Sequence, residues 1–224
     1  MNPLDNENQL IDTHQCISSL IELGTVKVAR MSQFLPTEER DALYEAVCKE
    51  QSEFISYNSS NLNVGVTKFL DLKSDTTNKE KAILTQKAHK ALSKRVIEQL
   101  PSLFEMLDIK PFVVSDINLT LINCPDGHYG TPHRDSINGD YQISILYYFN
   151  RIPKVFCGGD LELFDNDYDL SREDNKEPIF TIDFEDNLLI AFASDTFHGV
   201  TKVQSDSDDF VDGRFIAAGF FGAE

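Results

Sequence analysis

Several things are scarce in this 224-residue chain, and each scarcity excludes something. Cysteine occurs four times, as Cys16, Cys48, Cys124 and Cys157, scattered and never as a CxxC pair. Free thiols in a cytoplasmic protein are the simplest reading of that pattern. Basic charge is short: 20 Lys and Arg stand against 37 Asp and Glu, a formal charge of −17. A surface of that sign repels phosphate backbones and anionic membranes, so no nucleic-acid partner is expected and a neutral or basic substrate fits better. No stretch approaches the roughly 18 uninterrupted apolar residues that a membrane span needs. Met1 to Gln15 is polar and acidic, without the basic start or apolar middle of a signal peptide. Tryptophan is absent, which leaves 16 Phe and seven Tyr to supply the bulky core.

The length suits one domain, 1–224, and neither repeats nor a linker divide it. Thr25 to Arg30 alternates as a short edge strand would. A helix is expected after Pro36, with Thr37 as its cap, Glu38 and Glu39 in its first turn, and Leu43, Val47 and Phe54 along one stripe. Ser56 to Asn63 reads as loop. A second helix is expected from about Lys79 to Leu100, burying Ile83, Leu84, Ala88, Ala91, Leu92, Val96 and Leu100 and stopping at Pro101. From Pro111 the period becomes two: Ile117, Leu119 and Leu121 alternate, and strands follow at Tyr141–Phe149, Gly159–Phe164, Phe180–Phe184, Asn187–Phe192 and Arg214–Phe221. Pro125-Asp126-Gly127 and Asn138-Gly139-Asp140 are turn signals, while Asp165–Glu177 and Ser205–Asp212 read as solvated loops. Many short strands linked by such turns indicate a jelly roll or barrel over 111–224, supported by a mostly helical 1–110.

Chemistry concentrates in Tyr129-Gly130-Thr131-Pro132-His133-Arg134-Asp135. In an extended strand, side chains two apart share a face, so His133 and Asp135 present an imidazole and a carboxylate together. His198, just after a distant strand, would complete a facial set of two histidines and one carboxylate, the set associated with non-haem Fe(II) oxygenases. His-x-Asp alone is a weak signal, since it often marks a hydrogen-bonded pair. Context strengthens it here: a Gly-rich turn precedes it, a long β-run follows, and Arg214 opens the last, otherwise apolar strand. A buried guanidinium needs a partner, and its fork suits a carboxylate, either a ligand's or a protein Asp or Glu. His89 and His14 read as solvated, His128 as a rim or substrate-contact residue, and Cys124 as a buried thiol with no base to activate it.

Gly127 to Asp135, Tyr147-Tyr148-Phe149-Asn150, Gly158 to Phe164, Leu188 to Val200 and the entry Gln33 to Glu39 together resemble the prolyl 4-hydroxylase branch of the 2-oxoglutarate/Fe(II)-dependent dioxygenases, which includes the hypoxia-type prolyl hydroxylases. The resemblance spans nearly the whole chain. It implies a double-stranded β-helix (jelly roll, cupin-like), α+β but mainly β, with N-terminal helices packed on one sheet. Carried over by position, His133, Asp135 and His198 would bind Fe(II) and Arg214 would pair with the far carboxylate of 2-oxoglutarate. The Tyr148 hydroxyl would bond that same carboxylate, and Leu146, Leu161 and Val200 would line the cosubstrate pocket. The chain departs from the family at Asn123, often a tyrosine, and at Phe220, often a tryptophan. The gap from His198 to Arg214 is also longer, its Ser205–Asp212 segment expected as an exposed loop whose Phe210 and Val211 fold over the pocket mouth.

The implied activity is hydroxylation of an unactivated C–H, with O2 and 2-oxoglutarate as cosubstrates, Fe(II) as cofactor and ascorbate as reductant. Asp135 supplies the carboxylate ligand that a halogenase lacks. By analogy the substrate is a prolyl or other residue of a peptide or protein. A free amino acid or small natural-product intermediate is the alternative, and a non-catalytic metal-binding jelly-roll module the reading from another class.

Overall fold

Every residue of Ile143–Phe149 is buried, so this strand is covered on both faces. Ile143, Ile145, Tyr147 and Phe149 enter one core, whereas Leu146 and Tyr148 enter a second on the opposite face. The rest of the chain supplies those two covers. The computed structural model describes residues 16–57, 69–71, 83–114, 119–136, 139–168 and 177–222.

In order, the elements are β1 (Ile17–Leu23), β2 (Val26–Ser32), α1 (Thr37–Lys49), β3 (Ile55–Tyr57), β4 (Phe69–Asp71), α2 (Ile83–Leu107), β5 (Thr120–Cys124), β6 (Gly130–His133), β7 (Ile143–Phe149), β8 (Phe156–Cys157), β9 (Leu161–Leu163), β10 (Phe180–Ile182), β11 (Leu188–Ala193), β12 (His198–Val200), β13 (Gln204–Ser205) and β14 (Arg214–Phe221). The larger sheet runs β1-β2-β11-β7-β14-β5-β4-β3, the smaller β10-β9-β12-β6, and β13 pairs with β8. Helices α1 and α2 pack on each other and on the outer face of the larger sheet, burying Leu43, Val47, Leu92, Val96 and Leu103 against Met31, Tyr147 and Phe215. The inner face meets the smaller sheet through Val28, Leu146, Tyr148, Leu161, Leu163 and Phe192. This is the expected mainly-β jelly roll, and its site lies between the sheets. Among the described residues no helix is long and apolar enough to cross a membrane.

Several expectations give way. Helix α2 passes through Pro101 and ends at Leu107. An interior proline costs about 3 kcal/mol, but burying each large apolar side chain returns about 1.5–3 kcal/mol. Leu103, Phe104 and Leu107 continue the buried stripe beyond it, so packing prevails. Ile83 and Leu84, expected inside, are 62% and 48% exposed. His89 is not solvated: it is partly buried, its Nε2 lies 2.6 Å from the Leu119 carbonyl, and burial lowers its pKa. Thr37 is the first helical residue and makes no cap bond, Pro36 holding the cap position. Strand β2 is not an edge, because β1 covers one side and β11 the other.

The segment between β12 and β14 is fastened to the sheet rather than free over a mouth. Phe210 packs edge-on against Phe54 at 5.1 Å and Phe215 at 5.3 Å. Asn123 donates to the Phe210 carbonyl at 2.6 Å, and Tyr44 to the Val211 carbonyl at 2.8 Å. Asp212 accepts from Arg151 at 2.6 Å and from Ser207 at 2.7 Å. The expectations placed on His14, Ile117, Asn138, 58–63 and 169–176 lie outside the described residues.

One charged device ties the helical layer to the β layer. Arg40 in α1 is 5% exposed. It donates to Asp186 from Nε at 3.0 Å and Nη2 at 2.6 Å, to Asp41 at 2.8 Å, and to the Asn150 carbonyl at the end of β7. Asp186 also accepts from the Asn150 backbone at 3.0 Å. Breaking a buried pair by removing one partner costs about 3–5 kcal/mol. Asp186 keeps 21% side-chain exposure, which puts the cost at the lower end. Arg40→Ala is therefore expected to destabilise by about 3 kcal/mol, read as a lower urea midpoint at unchanged slope; a midpoint like the wild type's would show the network to be ornamental.

Candidate active site

His133 ends β6 and His198 opens β12, and the two are direct partners in the antiparallel ladder. Cross-strand partners share a face, so the two imidazoles stand side by side with ring centres 4.3 Å apart. Asp135 leaves the strand just after His133 and is held by its backbone N–H, which donates to the Ser194 carbonyl at 3.0 Å. Its Oδ1 lies 3.5 Å from His133 Nε2 and its Oδ2 3.6 Å from His198 Nε2. One ligand atom from each of the three falls within 4.8 Å of the others. They form a compact donor set of two nitrogens and one oxygen.

The supporting bonds leave the right atoms free. His133 Nδ1 lies 2.8 Å from the Thr131 carbonyl, and His198 Nδ1 lies 3.0 Å from the Thr196 carbonyl. A carbonyl only accepts, so each Nδ1 carries the proton and each Nε2 keeps a lone pair toward Asp135. Ser144 donates to Asp135 Oδ2 at 2.7 Å and shares a 2.9 Å hydrogen bond with Ser194. Burial pushes the Asp135 carboxyl up, but the His198 and His133 rings and the Ser144 hydroxyl outweigh it and hold it below the usual carboxylate range. Burial lowers the His198 pKa. On His133 burial pulls the same way but loses to Asp135 and the Thr131 carbonyl, and the pKa rises. Two imidazoles and an ionised carboxylate of this kind suit a divalent first-row metal with open positions.

Arg214 begins β14 and is 1% exposed. Its Nε donates to the Gly159 carbonyl at 2.8 Å and its Nη1 to Cys124 Sγ at 3.5 Å. The guanidinium lies over the rings of Tyr148 and Phe184, 5.1 Å from each. Among the described residues no carboxylate pairs with it. Arg214 Nη2 and Tyr148 Oη are both buried without a hydrogen-bond partner. Burial pushes the Tyr148 hydroxyl up to about 12, with Arg214 pulling the other way, so it stays a neutral donor. Two orphaned donors in an apolar pocket fit the end of a carboxylate ligand. Gly159, at φ +74°, makes the close approach feasible: a Cβ there would stand 2.4 Å from Arg214 Cδ.

The structure thus gathers His133, Asp135 and His198 at one place and Arg214 with Tyr148 at another. The apolar cluster of Leu146, Tyr148, Leu161 and Phe192 runs between them, with Phe192 4.8 Å from the His198 ring. Leu146 and Leu161 belong to that cluster, and Val200 is paired with Leu161 across the β12–β9 ladder. His128 is corrected from rim to interior: it is 7% exposed and its Nδ1 has no partner. No role in the site was read from the sequence for Ser144, Ser194, Gly159 or Phe184. A signal existed for the carbonyl braces, since Thr131-Pro132-His133 and Thr196-Phe197-His198 place a threonine two residues before each histidine.

Residues 119–222 match the model of the 2OG-Fe(II) oxygenase superfamily. An uncharacterised PKHD-type hydroxylase of Synechocystis is 29% identical over 213 residues, a match spanning 92% of this chain and 66% of that relative. A prolyl hydroxylase of Trichoplax adhaerens, solved with a hypoxia inducible factor oxygen degradation domain peptide fragment, superposes with a TM-score of 0.62 at 18% identity, over 87% of this chain and 83% of that one. A Pseudomonas putida prolyl-4-hydroxylase gives 0.56 at 17% identity, over 88% and 92%. At these identities the two structures speak for the jelly-roll fold. The superfamily's cofactor is Fe(II) and its cosubstrates are 2-oxoglutarate and O2; the donor set described above fits the metal, and the orphaned donors fit a carboxylate such as that of 2-oxoglutarate. Residues 119–222 are thus similar to the 2OG-Fe(II) oxygenase superfamily, and the fold around them is similar to that of the prolyl hydroxylases.

Proposed function

We propose that the protein is an Fe(II)- and 2-oxoglutarate-dependent dioxygenase that hydroxylates an unactivated C–H of a prolyl or other residue in a peptide or protein. The observation that carries the reading is Arg214: a buried cation with a free Nη2 and no carboxylate among the described residues, set against the same apolar cluster whose Phe192 packs on His198. A jelly roll that only stored metal would need His133, Asp135 and His198, but not an unpaired guanidinium beyond them. The peptide-bound neighbour supports a peptide substrate, and the deficit of basic residues favours one that is neutral or basic. The whole chain is read as one catalytic domain working in the cytoplasm, with ascorbate as its reductant.

In this reading His133 Nε2, His198 Nε2 and a carboxylate oxygen of Asp135 hold Fe(II), which when bound supplies the oxidising power for C–H hydroxylation coupled to decarboxylation of 2-oxoglutarate to succinate. Thr131 and Thr196 fix the tautomer of each imidazole. Ser144 keeps Asp135 from rotating away. Arg214 and Tyr148 orient the cosubstrate by its far carboxylate, the first through charge and the second through one neutral O–H. Leu146, Leu161 and Val200 exclude water from the stretch between, which strengthens each of those contacts. Incubation with Fe(II), 2-oxoglutarate, ascorbate and a panel of peptides and amino acids tests the proposal. Succinate must form together with a product heavier by one oxygen atom.

His133→Ala, Asp135→Ala and His198→Ala should each abolish succinate formation and weaken Mn(II) binding in calorimetry by about 10–100-fold or more, while circular dichroism keeps the β signature. Full activity of His198→Ala would sink the triad. Arg214→Ala removes one partner of a charge pair worth about 3–5 kcal/mol, which is some two to four decades at about 1.4 kcal/mol each. Its half-saturating 2-oxoglutarate should rise accordingly with Mn(II) affinity intact, Arg214→Lys lying between and Tyr148→Phe near tenfold. An unchanged half-saturation in Arg214→Ala would place the anchor elsewhere. Gly159→Ala should mimic Arg214→Lys, because the new methyl displaces the guanidinium; a wild-type value would mean that the side chain has room to move.

A further inference from the structure

Arg214 has a neighbour that cosubstrate binding leaves unused. Cys124 ends β5 directly opposite Arg214 in the β5–β14 ladder, so the two side chains share a face, and Sγ lies 3.5 Å from Nη1. Cys124 is buried, yet it forms part of the wall of a cavity of about 240 Å³ together with Asn123, Val203 and Gly213. The cavity rim carries Asp126, Asp208 and Asp209. Two polar atoms beside this thiol lack partners, Arg214 Nη2 on a residue 1% exposed and His128 Nδ1 on one 7% exposed. The contrast with Cys48 is instructive. Burial pushes the Cys48 thiol up, whereas at Cys124 burial is overcome by His128 and Arg214, which bring the thiol down to about 7. The thiolate is the form of cysteine that reacts.

We propose that Cys124 is a modification site, a peroxide-reactive thiolate whose oxidation engages Arg214 and closes the cosubstrate pocket. The inference rests on the reading of Arg214 as the anchor for 2-oxoglutarate. In the step itself, the Cys124 sulfur attacks one oxygen of hydrogen peroxide. The S–O bond forms as the O–O bond breaks, and hydroxide leaves to be protonated by solvent. Sulfur loses two electrons, peroxide gains them, and a sulfenic acid remains. Its oxygen is a new acceptor beside a guanidinium that has a donor to spare, and it adds volume where the cosubstrate carboxylate would sit. The carboxylates on the rim repel anionic reagents and leave a neutral peroxide unhindered, which sets the class of oxidant. Cys157 is exposed and stands against the carbonyl and side chain of Gln204, with no cation at its sulfur, so it provides an internal comparison.

The test treats the full chain with hydrogen peroxide in the presence of dimedone, maps adducts by peptide mass, and measures 2-oxoglutarate binding by calorimetry with Mn(II) in place of Fe(II). Cys124 should carry the adduct ahead of Cys157, and peroxide should weaken 2-oxoglutarate binding at least tenfold. Cys157→Ser should remain as sensitive as the wild type. Cys124→Ser, whatever its own affinity, should no longer respond to peroxide. Cys124 surviving as a free thiol while Cys157 is oxidised would overturn the inference. So would an oxidised Cys124 with undiminished binding, or a Cys124→Ser protein that loses binding on treatment. Failure of the underlying reading looks different: the untreated protein would bind no 2-oxoglutarate, and both conclusions would fall before peroxide was added.

Discussion

Arg214 is a positive charge buried with no carboxylate beside it among the described residues. Moving an ion out of water costs several kcal/mol even after relaxation, and structures tolerate it only when bonds or a ligand compensate. Arg214 has partial compensation in the Gly159 carbonyl, the Cys124 sulfur and two aromatic faces. What remains are two buried donors, Arg214 Nη2 and Tyr148 Oη, whose chemistry fits a carboxylate. Much else follows from the buried charge: Gly159 must be glycine to let the side chain past, Phe184 and Tyr148 must present their faces, and the Cys124 thiol is held below the ordinary range despite its burial.

The metal-ligating end solves a different problem, that of precision. Three ligands from separated parts of the chain have to converge within a few ångströms and keep their lone pairs pointed inward. Sheet register does most of this, by making His133 and His198 cross-strand partners. Asp135 bridges the layers, since its backbone is pinned at Ser194 and its carboxylate is held by Ser144 of the central strand. The larger sheet therefore positions the ligands that the smaller sheet carries. Its outer face is fastened in turn to the helices, through the apolar core and through Arg40 and Asp186.

Local patterns made a good part of this legible. Period-two alternation located β7, β9, β11 and β14, and the same period puts Leu146 and Tyr148 on one face of β7. His-x-Asp with a later histidine, and an arginine opening an apolar strand, pointed to the residues that the fold gathers at the two ends of the candidate site, because each is costly to build without a use. Misreadings fell where distant packing overrode a local rule. Pro101 is a stop signal only if nothing beyond it is worth burying, and Leu103, Phe104 and Leu107 are. Ser205–Asp212 reads as solvated because its composition is polar, yet Phe210 and Asp212 find partners at Phe54 and Arg151.

By itself, then, the sequence determined which residues could bear chemistry, which face of a strand they share, and that a mainly-β sandwich would present them, for these depend on residue type and a period of two. Tertiary structure alone decided what each of those residues meets. That Arg214 has no carboxylate among the described residues, that His128 is inside rather than on the rim, and that Cys124 lies against a guanidinium are facts of convergence between strands far apart in the chain. No local pattern encodes them, because the desolvation and the charge that set their reactivity come from neighbours brought together only by the fold.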